Sequence, residues 1–332
     1  MTPEAENLLN WYKKCGRHLP WRKEDISPYA VWVSEIMLQQ TTVKTVCGYF
    51  EKWMERFPTL QSLAESSLDE VLLLWQGLGY YTRAKKMHEC AREILEKHAG
   101  VFPRNRAELL KLPGIGPYTA SSISAFAFNL PETVVDGNVI RVLARYYGMT
   151  EEVDRDIITP FAEKLTPQEE GGNYASAIMD LGATICTPKT PDCSNCPWQK
   201  NCIARKQGIQ SSIPLLKKTQ KKQKNGAVFI LTDKQNRLFI RKRPGRGLLS
   251  GLWELPWTED GTFPFAADWE STGKAIRHIF THIDLTLELY QSASAAPEEF
   301  EKSGIFVPRE KLSEYAFSTL MKKVLKAADI ML

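Results

Sequence analysis

The chain has 332 residues, 43% of them hydrophobic and 25% charged, which is enough apolar material for substantial cores and, by length, for two domains. A formal net charge of +4 neither implies nor excludes nucleic-acid binding, which depends on where cations cluster. No apolar run approaches the roughly 18 residues of a membrane span, and the opening MTPEAENLLNWYKK lacks the basic flank and apolar core of a signal peptide. The expectation is therefore no membrane contact and a reducing, cytoplasmic compartment, nucleoid-associated in a bacterium.

The first two hundred residues have a helical texture. Helix formers recur at spacings of three and four over 69–75 and 81–98, and Gly and Pro punctuate at 57–58, 100–103 and 130–131. Early in this region Glu35 lies within Ala-Val-Trp-Val-Ser-Glu-Ile-Met-Leu, apolar on nearly every side of a helix. Burial there raises a carboxyl's pKa and keeps a proton on it near neutrality, as a general acid requires. The alternative is one half of a buried ion pair.

Further on, Leu112-Pro-Gly-Ile-Gly-Pro-Tyr-Thr-Ala120 runs straight into a helical stretch at 121–128. Gly114 and Gly116 let the backbone turn sharply and approach a ligand without a Cβ, and Pro117 suits a helix start. Exposed N–H groups backed by the helix's positive end make an anion site, and a DNA phosphate held there fixes register without reading sequence. A plain packing turn between helices is the competing reading for an isolated glycine pair. Asp136, in Val-Val-Asp-Gly-Asn-Val, precedes a helix at 139–147; the positive helix end keeps it ionised, and an ordinary N-cap would look the same. One neutral and one charged carboxyl is the division of labour in glycosidic bond cleavage.

Four of the seven cysteines follow in one stretch, Cys186, Cys193, Cys196 and Cys202, spaced C-x6-C-x2-C-x5-C. Structural zinc sites present two short knuckles, whereas here only the middle pair is close, and the wider outer spacing suits a [4Fe-4S] cluster. A disulfide framework fits short secreted chains, not a chain of this length with an odd cysteine count. Cys15, Cys47 and Cys90 stand alone and read as small buried hydrophobes. Around the loop Lys189, Lys200, Arg205 and Lys206 meet only Asp192, and these cations either offset the cluster's charge or reach phosphate.

Residues 211–225, with five lysines between 217 and 224 and no periodic apolar face, read as a solvated linker, with DNA contact as a second possibility. Beyond it the pattern turns to strands: 226–232 and 237–243 about a turn at 233–236 predict a hairpin-like pair, 283–290 alternates with Leu285, Leu287 and Leu289 on one face, and 312–330 predicts a closing helix. The second domain is therefore α+β.

Taken together, the helical region, the glycine hairpin, the following Asp and the cysteine loop closely resemble the endonuclease III superfamily of helix-hairpin-helix DNA glycosylases. Within it Leu19-Pro-Trp-Arg22, Val31-Trp-Val-Ser-Glu-Ile-Met-Leu-Gln-Gln-Thr41 and Gly77-Leu-Gly-Tyr-Tyr81 look like the MutY family of adenine DNA glycosylases, over about residues 5 to 205. The resemblance implies a multidomain fold: an all-α helix-hairpin-helix glycosylase domain at 1–185, an iron–sulfur loop at 186–210, the basic linker at 211–225, and an α+β Nudix-like domain at 226–332 that recognises 8-oxoguanine.

It also implies monofunctional hydrolysis of the N-glycosidic bond of adenine mispaired with 8-oxoguanine or guanine in duplex DNA, by a monomer carrying a [4Fe-4S] cluster, as a step of base excision repair. Bifunctional members carry a catalytic Lys where this chain has Tyr118, so no Schiff base and no strand cleavage by that route are expected. The adenine leaves the stack to be reached; by matching positions Glu35 protonates its N7, Asp136 stabilises the oxocarbenium-like sugar or forms a transient adduct, and Tyr118 and Asn138 support that charge. Gln40, Thr41, Leu78 and Tyr80 correspond to residues that wedge into the duplex or contact 8-oxoguanine, and Leu19 and Arg22 to the adenine pocket.

Phe280-Thr-His282 falls where the family has Phe-Ser-His on a loop that inspects 8-oxoguanine; Thr281 keeps the hydroxyl and adds a methyl, and His282 as a plain strand end is the alternative. Ser176 stands where a longer Gln or Glu is expected beside the base. The C-terminal domain resembles the family through Gly247-Leu-Leu-Ser-Gly-Leu-Trp-Glu-Leu-Pro256, and no clustered Arg and Glu of a Nudix box follows, so no nucleotide hydrolysis is expected. The rival readings are a mismatch glycosylase of the same fold acting on another base, such as thymine opposite guanine, and a non-catalytic sensor of DNA damage.

Overall fold

A computed structural model describes residues 1–23, 25–215, 221–244, 247–264, 267–293 and 303–330. The chain packs as two compact units, Met1–Glu65 with Lys86–Lys218, and Ser66–Lys85 with Thr219–Leu332. The helices in chain order are α1 (Pro3–Cys15), α2 (Pro28–Leu38), α3 (Val43–Arg56), α4 (Leu60–Ala64), α5 (Leu68–Leu74), α6 (Thr82–Lys97), α7 (Arg106–Leu109), α8 (Pro117–Phe128), α9 (Gly137–Tyr146), α10 (Arg155–Leu165), α11 (Gly171–Asp180) and α12 (Ile203–Gln207), with a π-helical turn at Leu181–Ile185.

Local chemistry sets the helix starts that matter for function. Ser27 caps α2 through its side chain ahead of Pro28, Asp136 caps α9, and Asp154 caps α10; each supplies an acceptor to an otherwise orphaned N–H. Helix α8 differs, because Gly116 caps it with no side-chain hydrogen bond and Pro117 follows, so its first N–H groups stay open. Helix α2 is buried on almost every side, from Tyr29 to Met37. Leu8 and Leu9 of α1, Val139 and Leu143 of α9, Ile158, Ile178 and Trp198 form a core beneath the cysteine loop.

The second unit is built of strands. Among the described residues a four-stranded sheet has the order β4-β1-β6-β5 and a three-stranded sheet the order β3-β2-β7, from β1 (Lys222–Leu231), β2 (Leu238–Lys242), β3 (Trp253–Glu254), β4 (Trp257–Thr258), β5 (Glu270–Ile279), β6 (Ile283–Ser292) and β7 (Ile305–Val307). Strand β1 runs parallel to β6, with Val228 opposite Leu289, and its unbroken buried run from Ala227 to Leu231 is what a strand covered on both faces shows. A Cβ on Gly226 would lie 2.1 Å from the Thr258 carbonyl oxygen, so only glycine lets β4 come this close. Leu285, Leu287 and Leu289 point together into the core, as their alternation predicts, against Leu320 and Val324 of α13 (Thr319–Ala327).

The strands 226–232 and 237–243 do not form one hairpin: among the described residues they pair only at the bridge from Thr232 to Leu238 and then enter different sheets. Residues 222–225, read as linker, begin β1 because β6 offers them a full parallel partner, while 216–220 lie outside the described residues. The helix expected over 312–330 is a 3-10 turn at Arg309–Glu314 and then α13, since Tyr315 is extended and Ser318 caps a new start. Of the isolated cysteines only Cys90 is buried; Cys47 is part-buried and Cys15 exposed.

By its packing the segment Ser66–Lys85 groups with the second unit, where Gln76 Nε2 donates to the Phe317 carbonyl at 3.0 Å and Lys242 Nζ pairs with Asp69 at 2.8 Å.

Candidate active site

A cleft of about 1150 Å³ opens in the helical unit, and it collects most of the residues singled out from sequence: Glu35, Tyr118, Asp136 and Asn138, with Leu19, Arg22, Gln40, Thr41, Gly114, Gly116 and Ser176 on its walls. Helix α2 delivers Glu35, whose residue is 6% exposed. Burial pushes its pKa up to about 7; the Ser122 and Tyr118 hydroxyls and the Arg22 charge pull it down, and the Asp136 charge adds to the rise. Desolvation thus outweighs every favourable partner, and the ion-pair alternative for Glu35 is not realised, because Arg22 gives its bonds to Asp180 instead.

Asp136 lines the same cleft as the N-cap of α9, accepting from the Val139 N–H at 2.8 Å and from Asn138 Nδ2 at 2.8 Å. Those two donors fix both of its oxygens. Tyr118, second residue of α8, faces both carboxyls, and burial followed by the charges of Glu35 and Asp136 holds its phenol well above the ordinary range, so it is a neutral hydrogen-bonding group there.

Two supports were not read from the sequence. Asp180, fully buried at the end of α11, accepts from the Arg17 backbone N–H at 2.8 Å, from Arg17 Nε at 2.7 Å and from Arg22 Nη1 at 2.9 Å. It ties the loop carrying Leu19 and Arg22 to the cleft wall, and a lone acid in the apolar run Ala-Ser-Ala-Ile-Met-Asp-Leu was its signal. Arg141 of α9 donates to Asn138 Oδ1 at 2.8 Å, to the Gly182 carbonyl at 2.7 Å and to the Cys186 carbonyl at 2.8 Å. One guanidinium therefore holds the Asn138–Asp136 pair against the start of the cysteine loop. Its only sequence signal is the spacing of Arg141 and Arg145 by one helical turn.

Cys186, Cys193, Cys196 and Cys202 line a second, small cavity together with Arg145. Arg145 is buried to 2% exposure and donates to the carbonyls of Thr187 at 2.7 Å and Pro188 at 2.9 Å and to Cys186 Sγ at 3.4 Å. Burial first, then the neighbouring thiolates, push Cys196 up to about 12 and raise Cys193, a cost that a bound cationic centre reverses. No three His, Cys, Asp or Glu side chains among the described residues are grouped for a single metal ion. The four thiols lining this cavity are the donor set available to a metal centre.

Leu78, Tyr80, Phe280, Thr281 and His282 belong to the second unit. Phe280, Thr281 and His282 form the turn between β5 and β6, closed by the Phe280 N–H on the Ile283 carbonyl at 2.7 Å. His282 and Thr281 are exposed, Phe280 packs edge-on against His278 at 4.5 Å, and the Thr281 hydroxyl hydrogen bonds the Tyr80 hydroxyl. Tyr80 has a left-handed backbone, φ 46°, and is 47% exposed, whereas Leu78 is buried. Lys189, Lys200, Arg205 and Lys206 are all exposed.

A helical fold with a glycine hairpin, a buried Glu and a capped Asp in one cleft defines a base-excision glycosylase architecture. Comparison with known proteins agrees: residues 33–168 match the HhH-GPD superfamily base excision DNA repair protein family, and 227–327 match the NUDIX domain family. An adenine DNA glycosylase of Rattus norvegicus is 35% identical over 99% of this chain and 78% of its own length. That of Buchnera aphidicola from Schizaphis graminum is 41% identical over 76% of this chain and 74% of its own. A solved thermostable thymine-DNA glycosylase, 28% identical, superposes on 61% of this chain and 95% of its own with a TM-score of 0.56. The chain belongs to the adenine DNA glycosylase family.

Proposed function

We infer that this chain hydrolyses the N-glycosidic bond of adenine in duplex DNA, acting on adenine opposite 8-oxoguanine or guanine as a monofunctional enzyme of base excision repair. The observation that carries the reading is the pairing, in one cleft, of a buried Glu35 held near pKa 7 with an Asp136 whose two oxygens are fixed by N–H donors. Glu35 is then part-protonated at neutral pH and hands its proton to adenine N7 as the bond from N9 to C1′ breaks. The bonding electron pair leaves with the base. The positive charge left on the sugar faces Asp136, either as an ion pair or as a short-lived covalent adduct, and water adds at C1′, giving its proton to the Glu35 carboxylate. Asn138, braced by Arg141, keeps the Asp136 carboxylate aimed, and Tyr118 donates a neutral hydroxyl where an amine would have formed a Schiff base.

Arg22 and Leu19 line the pocket that takes the flipped adenine. Gln40, Thr41, Leu78, Tyr80 and the turn Phe280–Thr281–His282 are assigned to the opposite base and the emptied stack, with Gly114 and Gly116 on a flanking phosphate. The four loop cysteines would hold a [4Fe-4S] cluster, a structural and electrostatic centre that takes no part in bond breaking, and a reducing cytoplasm suits such thiolates. The protein acts as a monomer on its duplex.

The test is product analysis on duplexes carrying A·8-oxoG, A·G, T·G and fully paired A·T. Release of free adenine from the first two, leaving an abasic site in an unbroken strand, supports the reading. The T·G duplex is included because a solved thymine-DNA glycosylase shares the fold; release of thymine in place of adenine, or strand breakage without added base, would overturn it.

A further inference from the structure

Arg155 occupies an unusual place in the helical unit. It is the first residue of α10, directly after the N-cap Asp154, where the helix's positive end disfavours a cation. Its side chain reaches the catalytic cleft, and its guanidinium carbon lies 5.2 Å from the centre of the Tyr118 ring. The residue is exposed, and among the described residues it forms no ion pair, although Asp154 and Asp156 flank it in sequence; Asp154 spends its carboxylate on the Ile157 N–H at 3.1 Å. A cation set against the local helix field, unpaired and stacked on an aromatic ring at the mouth of a reaction cleft, breaks the local rule at a site where a ligand would repair it.

We propose that Arg155 is a phosphate-binding residue that grips the DNA backbone beside the flipped nucleotide. The inference rests on the cleft being where duplex DNA is engaged. Held over the Tyr118 ring and without an ion pair among the described residues, the planar guanidinium has N–H groups available for two parallel bonds to a phosphate. The same wall carries a second set of donors of suitable kind, the open N–H groups at the start of α8 after Gly116. A phosphate held by Arg155 is thereby set at a fixed distance from Tyr118, and the sugar joined to that phosphate is presented to Asp136. Charge on Tyr118 is already coupled to Arg155, whose cation opposes the rise in the phenol's pKa caused by burial and the two carboxyls.

The test uses the full-length protein and a duplex with a non-hydrolysable adenosine analogue opposite 8-oxoguanine, with Kd measured across a range of salt. Removing one phosphate contact lowers the slope of log K against log salt by about one. Arg155→Ala is expected to show that change with a several-fold weaker Kd, and Arg155→Lys, which keeps charge without the planar fork, to recover the slope and only part of the affinity. A residue that merely packs on Tyr118 would leave the slope untouched, so an unchanged slope in Arg155→Ala overturns the proposal; matching circular dichroism of the three proteins excludes misfolding. Base release by the unmodified protein, measured in parallel on a cleavable duplex, reports separately on the proposed function.

Discussion

In the proposed mechanism Glu35 carries both the chemistry and the desolvation cost of the site in one side chain. With its pKa raised by burial from 4.5 to about 7, the folded protein holds a proton there that the unfolded chain releases. Stability linked to this group is therefore fully present below pH 4.5 and declines as pH rises toward 7, beyond which the loss levels off. Glu35→Gln is expected to unfold at a higher temperature than the wild type at pH 8, by on the order of 3 kcal/mol in stability, with the gain vanishing near pH 4; calorimetry at the two pH values checks this. If the same proton is the one delivered to adenine, the single-turnover rate of the wild type is expected to fall as pH rises through about 7. A rate that kept climbing through that range would remove Glu35 as the acid. Asp180 is the contrasting case, a fully buried carboxylate paired to two arginines, where removing one partner is expected to cost about 3–5 kcal/mol.

At the scale of elements, the site is an arrangement of helix ends. Helix α9 starts at Asp136 and presses Asn138 against the π-helical turn that leads to Cys186, and the contact is so close that a Cβ on Gly182 would stand 2.6 Å from the Asn138 Cβ. Gly182→Ala is therefore expected to displace Asn138, lowering stability by about 1–3 kcal/mol and slowing base release although the substituted residue touches no substrate. Equal rates for the variant and the wild type would mean that Asn138 does not aim Asp136.

Much of this was readable in the chain, because capping and glycine-turn chemistry are local: Asp136 before α9, Gly116-Pro117 before α8, and Glu35 inside an apolar helix each announced themselves by neighbours in sequence. What was not readable depended on distant partners. The sheets drew β1 and β2 apart through strands β6 and β7, more than fifty residues onward, and β6 recruited the lysine-rich 222–225 that alone looked like linker. Arg141 and Asp180 matter through carbonyls and arginines that only the tertiary fold brings to them.

Across the whole molecule, the two units divide the predicted DNA contacts. The helical unit holds the reaction cleft and the cysteine loop, and the second unit holds Leu78, Tyr80 and the turn at 280–282, with the Tyr80 and Thr281 hydroxyls bonded to each other. The cysteine loop makes its own prediction: protein made with ample iron is expected to contain about four iron and four sulfide per chain, and one zinc per chain would contradict the assignment. The central claim, that Glu35 and Asp136 together break the bond to adenine, is tested most directly by single-turnover release of adenine from an A·8-oxoG duplex by wild type, Glu35→Gln and Asp136→Asn. The account predicts release by the wild type and a loss of about 10²–10⁴-fold in each variant; a variant that releases adenine at the wild-type rate would contradict it.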